Sequence, residues 1–280
     1  MSLSPIAERL FSLSDRVVVI TGATGLLGVR HAEIIAAAGG IPILVDLNQE
    51  RIDKCAAELS AQFPHTTIWG LQTDITQPEQ LEILLAKILE RHHRVDVLIN
   101  NAARNPKVEN TADVNFSRVE NFPLLQWEQD LDVGLKGAFL CSQIFGGQMA
   151  KSGSGAILNI CSEYGINAPN QRLYHQEGVP EELQPVKPVS YTVVKSGLLG
   201  MTKYFATYWA HRGVRVNAIT IGGVQTTQPA EFVDRYVQDV PLGRMAQSDE
   251  YQGSILYLCA DASKFMNGAN LIVDGGKSCW

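Results

Sequence analysis

The sequence predicts an α/β fold, a doubly wound parallel sheet of about seven strands with helices on both faces. Three observations carry this. Seven short runs of β-branched and apolar residues recur along the chain, most without polar alternation, as strands covered on both faces require. Helix-length patterns separate the runs, and such alternation folds into parallel layers through right-handed crossovers. No internal repeat, low-complexity tract or linker divides the 280 residues, which read as one domain, 1–280, with a large core.

The strand candidates are RVVVITGA (16–23), IPILVDL (41–47), TIWGLQTD (67–74), VDVLINNAA (95–103), GAILNICS (155–162), VRVNAIT (214–220) and NLIVDGG (270–276). LLGVRHAEIIAAAG follows the first as a helix, and NQERIDKCAAELSAQ the second. In QPEQLEILLAKILERH, after the third, Leu81, Leu84, Leu85, Ile88 and Leu89 make an apolar stripe, and Pro78 with Glu79 suits a first turn. Arg91, His92, His93 and Arg94 close that pattern as a solvated cap, where cations suit the helix dipole. Long helices are expected over 124–150 and 189–211. Two polar, proline-bearing, non-periodic stretches break the rhythm, at 104–123 and 166–188. Loops of that length are uncommon in compact domains, and both follow strand C-termini, the edge where such sheets bind ligands.

A net charge of −6, with the charges interspersed, argues against nucleic acid or an anionic membrane as partner. The five cysteines show no C-x-x-C spacing, and MSLSPIAERLFSL is too polar for a secretory leader, so a soluble protein of the reducing cytoplasm is expected. No apolar run reaches membrane-spanning length, and no His/Cys/Asp cluster suggests a metal.

TGATGLLG (21–28) stands where the first strand turns into the first helix. Gly22, Gly25 and Gly28 let the backbone turn tightly, approach a pyrophosphate and pack the helix on the strand, as in a Rossmann-like fold. The next strand ends in Asp46, about 20 residues on, where a carboxylate can bind both adenosine ribose hydroxyls. It would repel a 2′-phosphate, and no Arg or Lys follows it directly or stands in the glycine turn, which points to NAD rather than NADP. A helix N-cap is the alternative reading of Asp46. Near residue 190, in PVSYTVVKSGLLG, Tyr191 and Lys195 stand one helical turn apart and share a face.

In their order and spacing, TGATGLLG, Asp74, NNAA (100–103), ILNICS, YTVVK, RVNAIT and IVDGG resemble the short-chain dehydrogenase/reductase family in its single-domain branch, from Arg16 to Gly276. The resemblance implies a cofactor cleft formed by Gly22, Thr24, Gly25, Leu27 and Gly28 at the phosphates and by Asp46 and Leu47 at the adenosine ribose. Asp74 and Ile75 would border the adenine, Asn100 would support the cleft, and Asn101, Ala102 and Ala103 would line it. Gly223 and Val224 would hold the nicotinamide carboxamide through the backbone. Ser162 matches the catalytic serine, Tyr191 the acid/base and Lys195 the ribose ligand. The residue types suit hydride transfer at a carbinol carbon. A free tyrosine titrates near pH 10, and a cation one turn away favours the phenolate needed to move the hydroxyl proton.

Three departures stand out. The glycines follow G-x-x-G-x-x-G, as in the family's nucleotide-sugar branch, and Ile221-Gly222 replaces the usual Pro-Gly. After Trp127, where the pattern V-N-L-x-G is expected, the chain has Val133-Gly134-Leu135-Lys136-Gly137. The asparagine that completes the family's catalytic tetrad is therefore glycine, and a water or a side chain from 104–123 is the candidate replacement.

Between Ser162 and Tyr191 lie 28 residues, more than the family commonly has. They include Asn167, Asn170, Gln171, Arg172, Tyr174, His175, Gln176 and Glu177, a lining that suits a polyhydroxylated, sugar-like or nucleotide-sugar substrate, with His175 itself expected to be exposed. Glu163, Tyr164 and Arg104 are candidate substrate contacts. An NAD-dependent secondary-alcohol oxidoreductase is the leading reading. The alternatives are an epimerase or dehydratase that recycles its NAD, suggested by the glycine spacing, and a non-catalytic NAD-binding protein, suggested by Gly134. The resemblance further implies a homotetramer or homodimer paired through the helices at 124–150 and 189–211.

Overall fold

The computed structural model describes residues 4–104 and 115–280. Its strands are β1 (Val17–Thr21), β2 (Ile41–Asp46), β3 (Trp69–Gln72), β4 (Val97–Asn100), β5 (Gly155–Ser162), β6 (Val214–Ile221) and β7 (Asn270–Val273). They form one parallel sheet in the order β3-β2-β1-β4-β5-β6-β7. The register runs from Val17 opposite Ile41 on one side of β1 to Val18 opposite Val97 on the other. The winding reverses between β1 and β4, so the chain leaves their C-terminal ends in opposite directions and a crevice opens there.

The absence of polar alternation in the strands has a direct cause. Val18 and Ile20 of β1 join a core with Ala32 and Ile35 of α2 (Leu26–Ala37), Ile52 and Leu59 of α3 (Gln49–Gln62), and Ile255 and Leu258 of α10 (Gln252–Cys259). Val17 and Val19 face the opposite core, with Leu81, Leu84 and Ile88 of α4 (Pro78–His92) and Phe205 of α8 (Val189–Tyr208). All four valines and isoleucines of β1 are fully buried, and each such side chain contributes about 1.5–3 kcal/mol.

Pro78 does open α4, as its first turn requires. The cap beyond it is solvated as expected, with Arg91, His93 and Arg94 exposed; α4 ends on left-handed His93, and Arg94 turns back to hold Asp96, whose carboxylate also accepts the Val17 N–H at 2.8 Å. Asn48, not Asp46, caps α3, accepting from the Arg51 N–H at 2.9 Å. The strand expected at 67–74 is four residues long and ends before Asp74. The helix expected over 124–150 is α5 (Leu124–Leu131), α6 (Ala138–Cys141) and α7 (Gly147–Ser152), joined by π turns at Asp132–Gly137 and Ser142–Gly146. Two further helices had no counterpart in the sequence reading, α1 (Pro5–Phe11) and α9 (Ala230–Gln238), and α10 is a third. Of the polar stretch at 104–123, residues 105–114 lie outside the described residues. Among the described residues no helix is long and apolar enough to cross a membrane.

His31 on α2 is 1% exposed, and neither ring nitrogen makes a hydrogen bond of normal geometry. Burial pushes its pKa down to about 4, offset only in part by the Asn101 side chain. The unfolded chain therefore takes up a proton first as pH falls below 6.5. The stability this group lends is full above that pH and is lost toward pH 4, by about 3 kcal/mol in all. Urea unfolding at pH 7 and pH 4.5 should show this loss in the wild type and not in His31→Leu. An equal loss in both proteins would contradict it.

Candidate active site

The crevice between β1 and β4 is shaped by glycines and by the end of β4. Gly22 has φ +62°, and a Cβ there would come within 2.9 Å of the Ala102 Cα. Thr21 Oγ1 accepts from the N–H groups of both Asn101 and Ala102 at 3.0 Å. Asn101 Nδ2 in turn donates to the carbonyls of Thr21 and Gly22 at 2.9 and 3.1 Å. Beneath them Asn100 Nδ2 donates to Asn159 Oδ1 and Ser142 Oγ, bracing β4 against β5. A Cβ on Gly28 would run into the Gly22 carbonyl, so the helix packs on the turn only with glycine there. At Gly25, which starts α2, a Cβ would meet only the Gly22 oxygen at 3.3 Å, leaving the outer side open. Half-buried Leu27 follows. An accessible backbone at the N-terminus of a 12-residue helix fits a pyrophosphate.

Asp46 ends β2 beside the glycine turn. Its Oδ2 accepts from Thr24 N and Oγ1 at 3.0 and 2.7 Å, and its Oδ1 from the N–H of exposed Leu47 at 2.8 Å. Arg51, from the first turn of α3, donates to the Thr24 carbonyl at 3.1 Å and so brings a guanidinium to the same edge. Asp74 accepts from Thr76 N and Oγ1, while Ile75 is buried against Gly137. Ala103 and Arg104 are exposed, and Arg104 Nε lies 3.4 Å from buried Asp130.

Ser162 ends β5 and is 7% exposed. The turn after it, Glu163–Gly165, lies directly on α8, because Gly165 lacks a side chain: a Cβ would sit 2.9 Å from the Lys195 backbone. Ser196 Oγ donates to the Gly165 carbonyl at 3.0 Å, and the Tyr164 ring meets Tyr191 edge-on at 6.4 Å. Ser162, Tyr191 and Lys195 thus come from two elements in direct contact. Buried Lys195 donates to the Ile160 carbonyl at 2.8 Å and lies 5.7 Å from the centre of the Tyr191 ring. A second cation stands over that ring, Lys187 Nζ at 3.8 Å, with its pKa pushed down to about 8 by burial and then by Lys195.

Gly134 lies in the π turn, and a Cβ on it would overlap Val194 Cγ1. The space that a side chain at 134 would need is hydrocarbon of Val194 on α8. Of the 104–123 stretch expected to offer a replacement, residues 105–114 lie outside the described residues.

Glu163 and Tyr164 are buried, at 4% and 7% exposure. They border a cavity of about 360 Å³ with Asn167, Asn170 and Lys277, yet their polar ends are engaged within the protein. The Glu163 carboxylate accepts from Tyr236 and Lys277, and the Tyr164 hydroxyl meets that of Tyr174 at 3.4 Å. Burial raises the pKa of both Glu163 and Tyr164. Across 166–188 much of the polar lining spends itself on the loop. Gln184 satisfies Gln176 and Val179, Gln171 accepts from the Lys187 N–H, and His175 is exposed. A cavity of about 310 Å³ remains beside it, lined by Arg118, Gln171, Val186, Lys187 and Thr192. Among the described residues no group of three or more His, Cys, Asp or Glu side chains could hold a metal.

Known proteins resemble this chain in sequence and in fold. The sequence model of the short chain dehydrogenase family matches residues 16–175, and one described as enoyl-(acyl carrier protein) reductase matches residues 181–278. An NAD-dependent glycerol dehydrogenase of Listeria innocua is 28% identical over 96% of each chain. A 3-oxoacyl-[acyl-carrier-protein] reductase of Aquifex aeolicus is 30% identical over 94% of this chain and 98% of its own. The crystal structure of a gluconate 5-dehydrogenase from Burkholderia cenocepacia, in complex with NADP and tartrate, superposes with a TM-score of 0.85 at 25% identity, covering 98% of this chain and 99% of the other.

Because Val194 occupies the space beside Gly134, Gly134→Asn alone should cost about 1–3 kcal/mol of overpacking. Adding Val194→Ala should recover most of it, and chemical denaturation of the four proteins in the cycle measures the coupling. Strictly additive effects would contradict the contact.

Proposed function

The chain belongs to the short-chain dehydrogenase family and is an oxidoreductase, and from that premise we propose that it interconverts a secondary alcohol and a ketone on a polar, polyol- or sugar-acid-like substrate with NAD. The observation that supports this reading is the contact of the turn after Ser162 with α8, the helix that carries Tyr191 and Lys195. When bound, the nicotinamide cofactor supplies or accepts the hydride. Gly22, Thr24, Gly25, Leu27 and Gly28 would hold its phosphates, and Asp46 and Leu47 the adenosine ribose. Asp74 and Ile75 would flank the adenine, Asn101, Ala102 and Ala103 would line the cleft, and the Gly223–Val224 backbone would take the carboxamide.

The chain's own groups divide the proton chemistry. Tyr191 gives or takes the proton at the substrate oxygen, and Ser162 donates a hydrogen bond to that oxygen and fixes its distance. Lys195 donates one N–H to the Ile160 carbonyl, and its remaining donors would hold the ribose. Arg118, Gln171, Lys187 and Thr192 offer polar contacts for substrate hydroxyls or carboxylates in a cavity also lined by Val119, Pro169, Val186 and Val189. A second cofactor reading has its own observation. Arg51 beside Thr24 is a cation that would favour NADP, set against the carboxylate of Asp46, which favours NAD. Phe139, Val193, Tyr204 and Tyr208 leave apolar and aromatic surface exposed around α6 and α8, which supports self-association as a homotetramer or homodimer.

Purified protein should form NADH with glycerol-like polyols or aldonates, and more slowly NADPH. Product without net NADH would indicate an epimerase or dehydratase, and dinucleotide binding without any turnover a non-catalytic protein. Tyr191→Phe should lower turnover by about 10³-fold while leaving NADH affinity within about twofold. Wild-type-like turnover in that variant would remove Tyr191 from the reaction.

A further inference from the structure

Glu163 follows Ser162 in the chain, and its buried carboxylate is engaged by partners within the protein. The Tyr236 hydroxyl lies 3.0 and 2.9 Å from its two oxygens, and Lys277 Nζ donates to Oε1 at 3.0 Å. The same hydroxyl accepts the Gly223 N–H at 2.6 Å. A phenol has one proton, and here its oxygen is already accepting, so that proton goes to the carboxylate. The direction of the chain is thereby fixed: Gly223 N–H to Tyr236, and Tyr236 O–H to Glu163. Lys277 supplies the charge that lets a carboxylate remain buried, and its ammonium also stands 3.7 Å from the centre of the Tyr236 ring.

The far side of the Gly223–Val224 segment is held as well. Ala246 N donates to the Gly223 carbonyl at 3.0 Å, Gln225 N donates to the Ala246 carbonyl at 2.8 Å, and Gln228 Nε2 donates to the Val224 carbonyl at 2.7 Å. Tyr236 comes so near that a Cβ on Gly223 would lie 2.7 Å from its Cζ. Its ring packs with Leu173 of the 166–188 segment and with Val240 and Met245.

We propose that Glu163 is a positioning residue, which through the Tyr236 hydroxyl pins the Gly223 amide and so sets the backbone facing the nicotinamide end of the cofactor. This rests on the reading that Gly223–Val224 holds the carboxamide. One buried carboxylate then joins the Ser162 turn, α9 and the Gly223–Val224 segment, and fixes their separation before any ligand arrives.

The test compares NAD with ADP-ribose, which lacks only the nicotinamide, by calorimetric titration of the full-length protein. Tyr236→Phe removes the shared hydroxyl and should weaken NAD about tenfold while leaving ADP-ribose within about twofold. Glu163→Gln keeps the shape, remains folded if the phenylalanine variant does not, and should weaken NAD about threefold with ADP-ribose again unchanged. Equal loss for both ligands, or no loss for NAD, overturns the inference. A wild-type protein that binds ADP-ribose but gains nothing from the nicotinamide overturns the cofactor reading itself, and the inference with it.

Discussion

The contact between the Glu163–Gly165 turn and α8 is the constraint on which the rest of the site depends. β5 delivers Ser162 to the sheet edge, and α8 carries Tyr191 and Lys195 across the face beside it. Neither element alone sets the distance between them. The missing side chain at Gly165 does so, because the turn rests on the helix backbone at Lys195 and is tied there by Ser196. The two cores make this contact rigid. Strands buried on both faces cannot tilt without opening a packed layer, so the edge of β5 and the axis of α8 keep one relation.

Electrostatics within the site are those of buried groups in fixed company. Lys195, Lys187 and Lys277 are each partly or wholly withdrawn from water, each close to an aromatic ring. Asp130 and Glu163 are the buried acids set among them, the first tied to Ser190 and Gln126, the second to Tyr236. Such a site spends little reorganisation when charge moves, since its dipoles are already oriented.

Much of this was legible in the sequence. All seven strands announced themselves by apolar runs, and the glycine turn, Asp46 and the Tyr191–Lys195 spacing fell where the fold puts them. What was hidden shares a physical cause: it depends on neighbours distant in sequence. Arg51 stands five residues after Asp46, and only the start of α3 turns its side chain back to Thr24. Glu163 and Tyr164 read as open polar groups beside Ser162, but partners at 174, 236 and 277 draw them inward. α9 had a clear amphipathic pattern in AEFVDRYVQ, whereas GSILYLC in α10 is apolar throughout and carries no period to read.

Gly134 and Val194 face each other across the helix pair, and the two residues divide one fixed volume. A valine-to-alanine change beside glycine leaves a small void, which a core tolerates, whereas an asparagine opposite valine collides with it. The order of change therefore matters. A larger side chain at 134 is accommodated at lower cost after Val194 has been reduced than before. The two positions are coupled through one volume: while the hydrocarbon is in place, a polar group at 134 carries an overpacking cost that a smaller residue at 194 relieves.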